Sequence, residues 1–301
     1  MTSTVGDDRA AGQPSPPTQR VVRTIEVLAD SIDTPLPLAE IVRRTGFSRA
    51  TSHAVLAQLT NDGWVSREAG NFSISAGFVA LVRHTERGFP MRRLAASAAR
   101  ELAETLDMPV FVAERTGESI TVTDVVGAPG LEWIRPGRRI ALRPTVCREF
   151  VAWAPADEVQ RWLDAAPEPA RGRLRDVLDT IRDRGYAVER LTPDHAQMVD
   201  TLASLRNSPV SDSLRSRVDG LLTELTTIDY LADETVGQVA VVTVGAPIFD
   251  ESGTVVASIV AVPDREMPAD ELHQIGDAII CAAGRVGEAH LRRGLNGADG
   301  A

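Results

Sequence analysis

The sequence contains no lysine, so all 32 of its Lys-plus-Arg residues are arginine. Cysteine is nearly absent, and Cys147 and Cys281 form no CxxC or CxxH spacing, which argues against a structural zinc site. A disulfide has no support, and a reducing cytoplasm is the simpler interpretation. No apolar run approaches the roughly 20 residues that a transmembrane helix needs. We therefore expect a cytoplasmic globular protein without a metal or a cofactor.

The charge is unevenly distributed along the chain, although the formal net charge is −10. Residues 1–93 hold 11 Arg against 9 acidic residues, whereas residues 94–301 hold 21 Arg against 33. The first part therefore has a balance of +2 and the second a balance of −12. A weakly basic N-terminal part and an acidic C-terminal part are typical of a nucleic-acid-binding module joined to a partner domain.

Residues 38–75 carry the most specific local pattern in the chain. Gly46 suits the positive φ of a helix end, and Ser48 suits the N-cap of the next helix. The pattern predicts two helices, over 38–45 and 48–61. It then predicts a hairpin whose strands are 64–67 and 71–75. With a further helix over 19–29, this order describes a winged helix-turn-helix, whose second helix enters the major groove of DNA.

The outer face of the second of these helices carries the candidate base-reading residues. Arg49, Thr51 and His53 lie on its first turns, from which side chains reach base edges. Arg49 is suited to guanine O6 and N7, a contact that contributes about 1–3 kcal/mol of discrimination. A solvated helix face is the alternative, but the adjoining turn and wing favour DNA. The further candidate contacts are Arg43, Arg44, Ser48 and Arg67, of which the first two could equally complement the helix dipole.

Helices and hairpins alternate loosely after residue 90. A helix over 90–106 has an apolar stripe that includes Met91, Leu94 and Leu102, and we interpret it as a connection between domains. Strands are predicted at 110–114, 120–126, 186–189, 239–244 and 255–262, and helices over 174–185 and at the end of the chain. This pattern favours an α+β sensor domain over a doubly wound sheet.

Four fragments in this order resemble the IclR family of bacterial transcriptional regulators. They are LAEIVRRTGFSRATSHAVLAQLTNDGWV at the start, RPTVCREFVAW at 143–153, LDTIRDRGYAV at 178–188 and VGAPIFDESGTVVASIV at 244–260. The resemblance covers most of residues 20–290. It implies a winged helix-turn-helix, a connecting helix and a GAF-like effector domain, in dimers or tetramers that bind palindromic operators.

The resemblance divides the chain into five parts. These are a disordered tail over 1–18, a DNA-binding domain over 19–87, a connecting helix over 88–107, an effector domain over 108–290 and a tail over 291–301. A helical insertion at about 192–235 has no counterpart in a typical member. Ala54 stands where the family often has arginine, so one cationic DNA contact is missing.

The resemblance also implies an effector pocket in the second domain. The residues that match its positions are Cys147, Glu189, Thr243, Ile259 and Ala261. Because two of them are apolar and one is a carboxylate, a short anionic effector would lack hydroxyl donors. We therefore expect a larger or more apolar effector. Cys147, where many relatives have glycine, is an effector contact, a redox-sensitive thiol or a buried small side chain.

No catalytic constellation is present, since GxSxG, HExxH, GxxxxGK[ST] and a GxGxxG after a strand are all missing. The leading interpretation is a ligand-responsive transcriptional regulator, most simply a repressor, and not an enzyme. One alternative is a small-molecule methyltransferase that uses the winged domain only to dimerise. Another is a sensor or assembly protein that has lost DNA binding.

Overall fold

The computed structural model describes residues 15–85, 88–131, 134–142, 144, 147–190 and 228–298. It divides the chain into two compact units, which meet in the sequence between Gly88 and Phe89. We call them the N-terminal and the C-terminal unit. The predicted connecting helix belongs to the C-terminal unit.

The N-terminal unit combines four helices with a small antiparallel sheet of order β1-β3-β2. Its helices are α1 (Pro16–Ala29), α2 (Leu38–Thr45), α3 (Arg49–Asn61) and α4 (Ala76–Thr85). Its strands are β1 (Leu36–Pro37), β2 (Val65–Glu68) and β3 (Asn71–Ile74). Helix α1 begins at Pro16, inside the segment predicted to be a disordered tail, and residues 1–14 lie outside the described part.

Burial of one apolar face from each of α1, α2 and α3 holds the N-terminal unit together. Leu28, Ile41 and Leu56 are almost completely buried, and Phe72 of β3 closes the same core. Fully burying such a side chain contributes about 1.5–3 kcal/mol. The core therefore fixes α3 against α2 and leaves the opposite face of α3 to the solvent.

The wing turn is tighter than predicted. Glu68 pairs with Asn71, so only Ala69 and Gly70 connect the two strands, and both have positive φ. Two positive φ values are required by the hairpin turn whose twist matches that of the strands. Leu36 and Pro37 form a short edge strand against β3, a position that tolerates proline.

The C-terminal unit is an α+β domain built on a six-stranded antiparallel sheet of order β6-β5-β4-β10-β9-β7. Its helices are α5 (Pro90–Leu106), α6 (Glu149–Ala152), α7 (Ala156–Asp164), α8 (Arg171–Arg184) and α9 (Ala269–Ala298). Its strands are β4 (Val110–Thr116), β5 (Ser119–Val126), β6 (Arg139–Ala141), β7 (Ala187–Glu189), β8 (Gln238–Val241), β9 (Thr243–Phe249), β10 (Val255–Ala261) and β11 (Arg265–Pro268). The last helix continues to Ala298, so the predicted tail from residue 291 is wrong.

The two faces of the six-stranded sheet pack against different helices. Helices α5 and α9 cover one face, where Val112, Ile259 and Ile279 belong to one buried cluster. The other face carries Phe111 and Val260, which pack with Phe150 of α6 in a second cluster. Each strand therefore contributes alternate residues to two cores.

Two predicted segments differ in the structure. The strand predicted at 239–244 breaks into β8, which pairs with β11, and β9, which pairs with β10. Most of the predicted insertion at 192–235 lies outside the described residues. The last residues of this segment are described and belong to the domain, because Ile228 and Tyr230 are buried in the cores of the C-terminal unit.

Candidate DNA-binding surface and effector cavity

Arg49 and His53 are exposed on the first turns of α3. Within the described part of the chain, neither side chain makes a hydrogen bond or an ion pair. Ser52, Leu56 and Leu59 point the other way into the core, as the helical spacing predicted. The base-reading face that the sequence predicted is therefore free to meet a partner.

Ser48 and Thr51 hold the beginning of α3 in place. The Ser48 hydroxyl accepts a hydrogen bond from the Thr51 backbone N–H at 3.1 Å and donates one to the Thr51 Oγ1 at 2.9 Å. A cap of this kind satisfies one of the free N–H groups of the first turn. Both predicted DNA contacts thus also determine where the recognition helix starts.

Arg43 and Arg44 are both bound to one carboxylate of their own helix. Arg43 donates to Glu40 at 2.8 and 2.5 Å, and Arg44 donates to Glu40 at 2.6 Å. Arg44 also donates to the Ser31 hydroxyl at 2.7 Å. The hydrogen bonds from Arg43 and Arg44 lower the pKa of Glu40 to about 2. Phosphate contacts by these two arginines would have to compete with Glu40.

Arg67 differs from Arg43 and Arg44 because no carboxylate in the described chain pairs with it. It is exposed on β2, and its guanidinium lies 5.4 Å from the centre of the Phe72 ring. Stacking on an aromatic ring orients a guanidinium without neutralising its charge. Arg67 therefore presents a full positive charge on the wing.

Three of the predicted effector residues meet in the C-terminal unit. The Glu189 carboxylate accepts a hydrogen bond from the Cys147 backbone N–H at 2.8 Å and one from the Thr243 hydroxyl at 3.0 Å. All three residues line a cavity of about 10 Å³, together with Phe111 and Val260. This volume is close to that of a single water molecule.

Ile259 and Ala261 do not line this cavity, so the prediction for these two positions is wrong. Both face α5 and α9 on the opposite side of the sheet. Val260, between them, lines the cavity instead. Successive side chains of a strand point to opposite faces of the sheet. An alignment that is wrong by one residue therefore assigns a core residue to the cavity wall.

Glu149 is a cavity residue that the sequence analysis missed. It lies on α6 and is buried, and burial together with the nearby Glu189 raises its pKa to about 8. Gly245 leaves the space for it, since a Cβ there would lie 3.1 Å from the Glu149 Oε1. The signal in the sequence was a charged pair inside the apolar fragment CREFVAW.

Arg148 and Asp229 form a completely buried ion pair beside the cavity. Asp229 also bridges to Glu189 in antiparallel fashion, and its backbone carbonyl accepts from Arg173 at 2.9 Å. Burial raises the pKa of Asp229 to about 7, against the lowering effect of Arg148. The cavity is therefore surrounded by ionisable groups that have no access to solvent.

Cys147 has a backbone φ of +58°, a conformation that favours glycine. Burial raises the pKa of the Cys147 thiol well above its usual value. Because the thiolate is the reactive form, this environment argues against a redox-sensitive thiol.

Neither unit shows a metal or membrane feature in the part of the chain that is described. No group of three or more possible metal ligands comes together there. None of the helices described above is long and apolar enough to cross a membrane. What the geometry provides is an exposed recognition helix with a wing and, in the other unit, a small and mostly apolar cavity with two buried carboxyl groups in its wall.

Comparisons with known proteins agree with this arrangement. Residues 17–69 match the family model of the IclR helix-turn-helix domain. The HTH-type transcriptional regulator KipR of Bacillus subtilis (strain 168) is 26% identical over 181 residues, which cover 56% of this chain and 72% of KipR.

Solved structures share the fold over nearly the whole chain. An IclR transcriptional regulator from Alicyclobacillus acidocaldarius aligns with a TM-score of 0.58 and 15% identity, over 92% of this chain and 99% of its own. The Thermotoga maritima IclR has a TM-score of 0.56 and 18% identity, over 90% and 98%. An IclR homologue from Microbacterium hydrocarbonoxydans, complexed with 4-hydroxybenzoate, has a TM-score of 0.56 and 15% identity, over 91% and 99%.

A winged helix-turn-helix joined to an α+β domain of this topology defines a DNA-binding transcriptional regulator. Residues 17–69 form an IclR-type helix-turn-helix domain, and the chain as a whole shares the fold of solved IclR-family regulators. The findings together support a ligand-responsive regulator, and none of them supports the methyltransferase alternative.

Proposed function

We propose that the protein reads a palindromic operator in the cytoplasm as a homodimer, with the exposed face of α3 in the major groove. The observation that carries this proposal is the uncommitted guanidinium of Arg49 on the first turn of a capped recognition helix. The charge of Arg67 on the wing supports a phosphate contact beside the base-reading helix.

Sequencing of DNA selected by the purified full-length chain tests this function. We expect one enriched palindrome with a fixed half-site spacing, because two copies of α3 related by a two-fold axis read two half-sites. A gel shift at two salt concentrations should then show weaker binding at the higher one. The absence of any enriched sequence would favour a sensor that has lost DNA binding.

Arg49→Ala tests the base-reading role directly. We expect operator affinity to fall roughly 10–100-fold, the equivalent of about 1–3 kcal/mol. Thermal unfolding should not change, because the Arg49 side chain is exposed and makes no hydrogen bond or ion pair within the described chain. Arg100→Ala is the matched control, since Arg100 is exposed on α5 in the other unit. An Arg49→Ala variant that keeps its full sequence preference would contradict the assignment.

The proposed dimer is supported by helix α4. None of its residues is buried, and Val79, Leu81 and Val82 are 39%, 45% and 41% exposed. Apolar side chains clustered on one helix are costly to leave in water, and a second copy would cover them. Sedimentation of the free protein and of its operator complex measures the number of copies, and separates a dimer from a tetramer.

We further propose that the effector binds at the Glu189 cavity and releases the operator, so that the protein acts as a repressor. The cavity lining among the described residues contains two carboxyl groups and no basic side chain. We therefore expect an effector with an apolar body that donates hydrogen bonds, and we exclude a short anion. Because the cavity holds about one water molecule, binding requires the lining residues to move.

The effector proposal is tested with a panel of uncharged hydrogen-bond donors and matched carboxylates. Ligands of the first class should raise the melting temperature and weaken operator binding, and Glu189→Gln should reduce both effects. Glu168→Gln, an exposed position, is the control. Selective binding of the carboxylates would contradict the proposed chemistry.

A further inference from the structure

A second and much larger cleft lies in the C-terminal unit. Its volume is about 560 Å³, within the range of small-molecule pockets. None of its lining residues also lines the Glu189 cavity. The cleft is therefore separate from the proposed effector site.

One wall of the cleft is a stripe of α7. Glu158, Arg161, Trp162 and Ala165 follow one another at the spacing of a single helix face, and all four line the cleft. The facing wall is the tip of the β4–β5 hairpin, where Thr116 pairs with Ser119 across a two-residue turn.

A salt bridge fixes these two walls relative to each other. Arg115 of β4 donates to the Glu158 carboxylate at 2.5 Å, and it also donates to the Gly117 carbonyl at 3.2 Å. Both charged side chains are largely shielded from solvent, at 21% and 28% exposure. The cleft is therefore preformed, which reduces the entropy lost when a ligand binds.

Two charged groups on the cleft residues lack a strong internal partner. Glu118 is exposed at the hairpin tip and forms no ion pair among the described residues. Arg161 pairs only with Asp157 on its own helix, and both side chains are about 70% exposed. Exposed pairs of this kind contribute little and are readily exchanged.

We propose that this cleft binds a small zwitterion of the size of an α-amino acid. The ligand's ammonium group would pair with Glu118, and its carboxylate with Arg161. A ligand with one positive and one negative charge matches the Glu118 carboxylate and the Arg161 guanidinium, whose exposed ion pair is readily exchanged. Leu142 and Pro144 provide an apolar surface for its side chain. This proposal does not rest on the operator or effector proposals above.

Calorimetric titration of the full-length protein with the standard L-α-amino acids tests the proposal. Acetate and methylammonium serve as probes that carry only one of the two charges. We expect at least one amino acid to bind, and each single-charge probe to bind at least about tenfold more weakly, since a hydrogen bond to a charged group is lost. Equal binding of acetate would overturn the zwitterion assignment.

Variants locate the site. Glu118→Gln and Arg161→Gln should each weaken binding about tenfold or more, whereas Arg175→Gln, the same substitution at an exposed position of α8, should not. Glu189→Gln should leave amino-acid binding unchanged, which separates this site from the effector cavity. Failure of every amino acid to bind, or equal binding by the Glu118, Arg161 and Arg175 variants, would overturn the proposal.

Discussion

Both units contain arginine–carboxylate pairs, but they place them at different depths. In the N-terminal unit, Arg43 and Arg44 bind Glu40 at the surface, and Arg43 is 71% exposed. In the C-terminal unit, Arg148 and Asp229 are both completely buried. A surface pair contributes at most about 1 kcal/mol and can exchange its partner for a phosphate. A buried pair cannot be separated without leaving a charge inside the protein. The first kind of pair leaves its arginines exchangeable, and the second must stay intact in the folded domain.

The largest expected effect comes from breaking the buried pair. Asp229→Asn removes the carboxylate that pairs with the buried Arg148 guanidinium, and removal of one partner of such a pair costs about 3–5 kcal/mol. Chemical denaturation of the full chain measures the loss, and hydrogen exchange should locate it in the C-terminal unit. Asp233→Asn, at an exposed position nearby, is the control. If both variants were equally stable, the buried pair would not have the role assigned to it.

A second difference between the units is expected in their response to pH. Folding raises the pKa of Glu149 from its usual value to about 8, so between about pH 5 and 8 the folded state keeps a proton that the unfolded state releases. Stability should therefore fall as the pH rises through this window, by at most about 1.4 kcal/mol per pH unit from this group.

Glu149→Gln should remove this contribution to the slope, because the amide imitates the protonated carboxyl group. Denaturation midpoints of the wild type and the variant, measured from pH 5 to 8, check the prediction. Glu101→Gln, exposed on α5, should keep the wild-type slope. The same slope in the Glu149 and Glu101 variants would refute the raised pKa.

In the N-terminal unit, Ser48 can be used to separate folding from DNA contact. Ser48→Ala removes the cap of α3 and should destabilise this unit by about 1 kcal/mol. Ser48→Asp keeps a capping carboxylate, so stability should be retained, but its negative charge should weaken operator binding. Thermal unfolding and gel shifts of both variants measure the two effects. Loss of stability in both would show that the hydroxyl does more than cap the helix.

The smallest effect tests whether surface pairing limits phosphate contact. Arg67→Ala should reduce the slope of log affinity against log salt by about 0.9 for each subunit, the value for one phosphate contact, and so by about 1.8 for a dimer. Arg43→Ala should change the slope less, because Glu40 already neutralises that side chain. Operator titrations at several salt concentrations check the difference. A larger change for Arg43→Ala would mean that DNA displaces Glu40.

How well the sequence predicted each part depended on the range of the interactions involved. The helix over 90–106 is confirmed to its ends, and Ser48 is confirmed as a cap, because apolar periodicity and capping act within a few residues. The winged order of helices and strands was found for the same reason. The break between β8 and β9 was missed, since it depends on pairing with β11 and β10, which are distant in the sequence.

Prediction of the candidate site residues also depended on the range of the interactions involved. Cys147, Glu189 and Thr243 were identified through family resemblance, and the structure joins them by hydrogen bonds. Ile259 and Ala261 were misplaced, because the face to which a strand residue points depends on its exact register. Arg148 and Glu149 were missed, since charged residues in a short fragment give no sign that both are buried.

By itself, the sequence determined the recognition helix with its wing, the resemblance to the IclR family and the division of charge between the two parts of the chain. These properties follow from local periodicity, from capping residues and from composition. Only the tertiary structure decided which arginines are free, which are bound to carboxylates and which ionisable groups surround the cavity. The physical reason is that the strength and availability of a charge depend on its burial and its neighbours, and both are set by segments far apart in the chain.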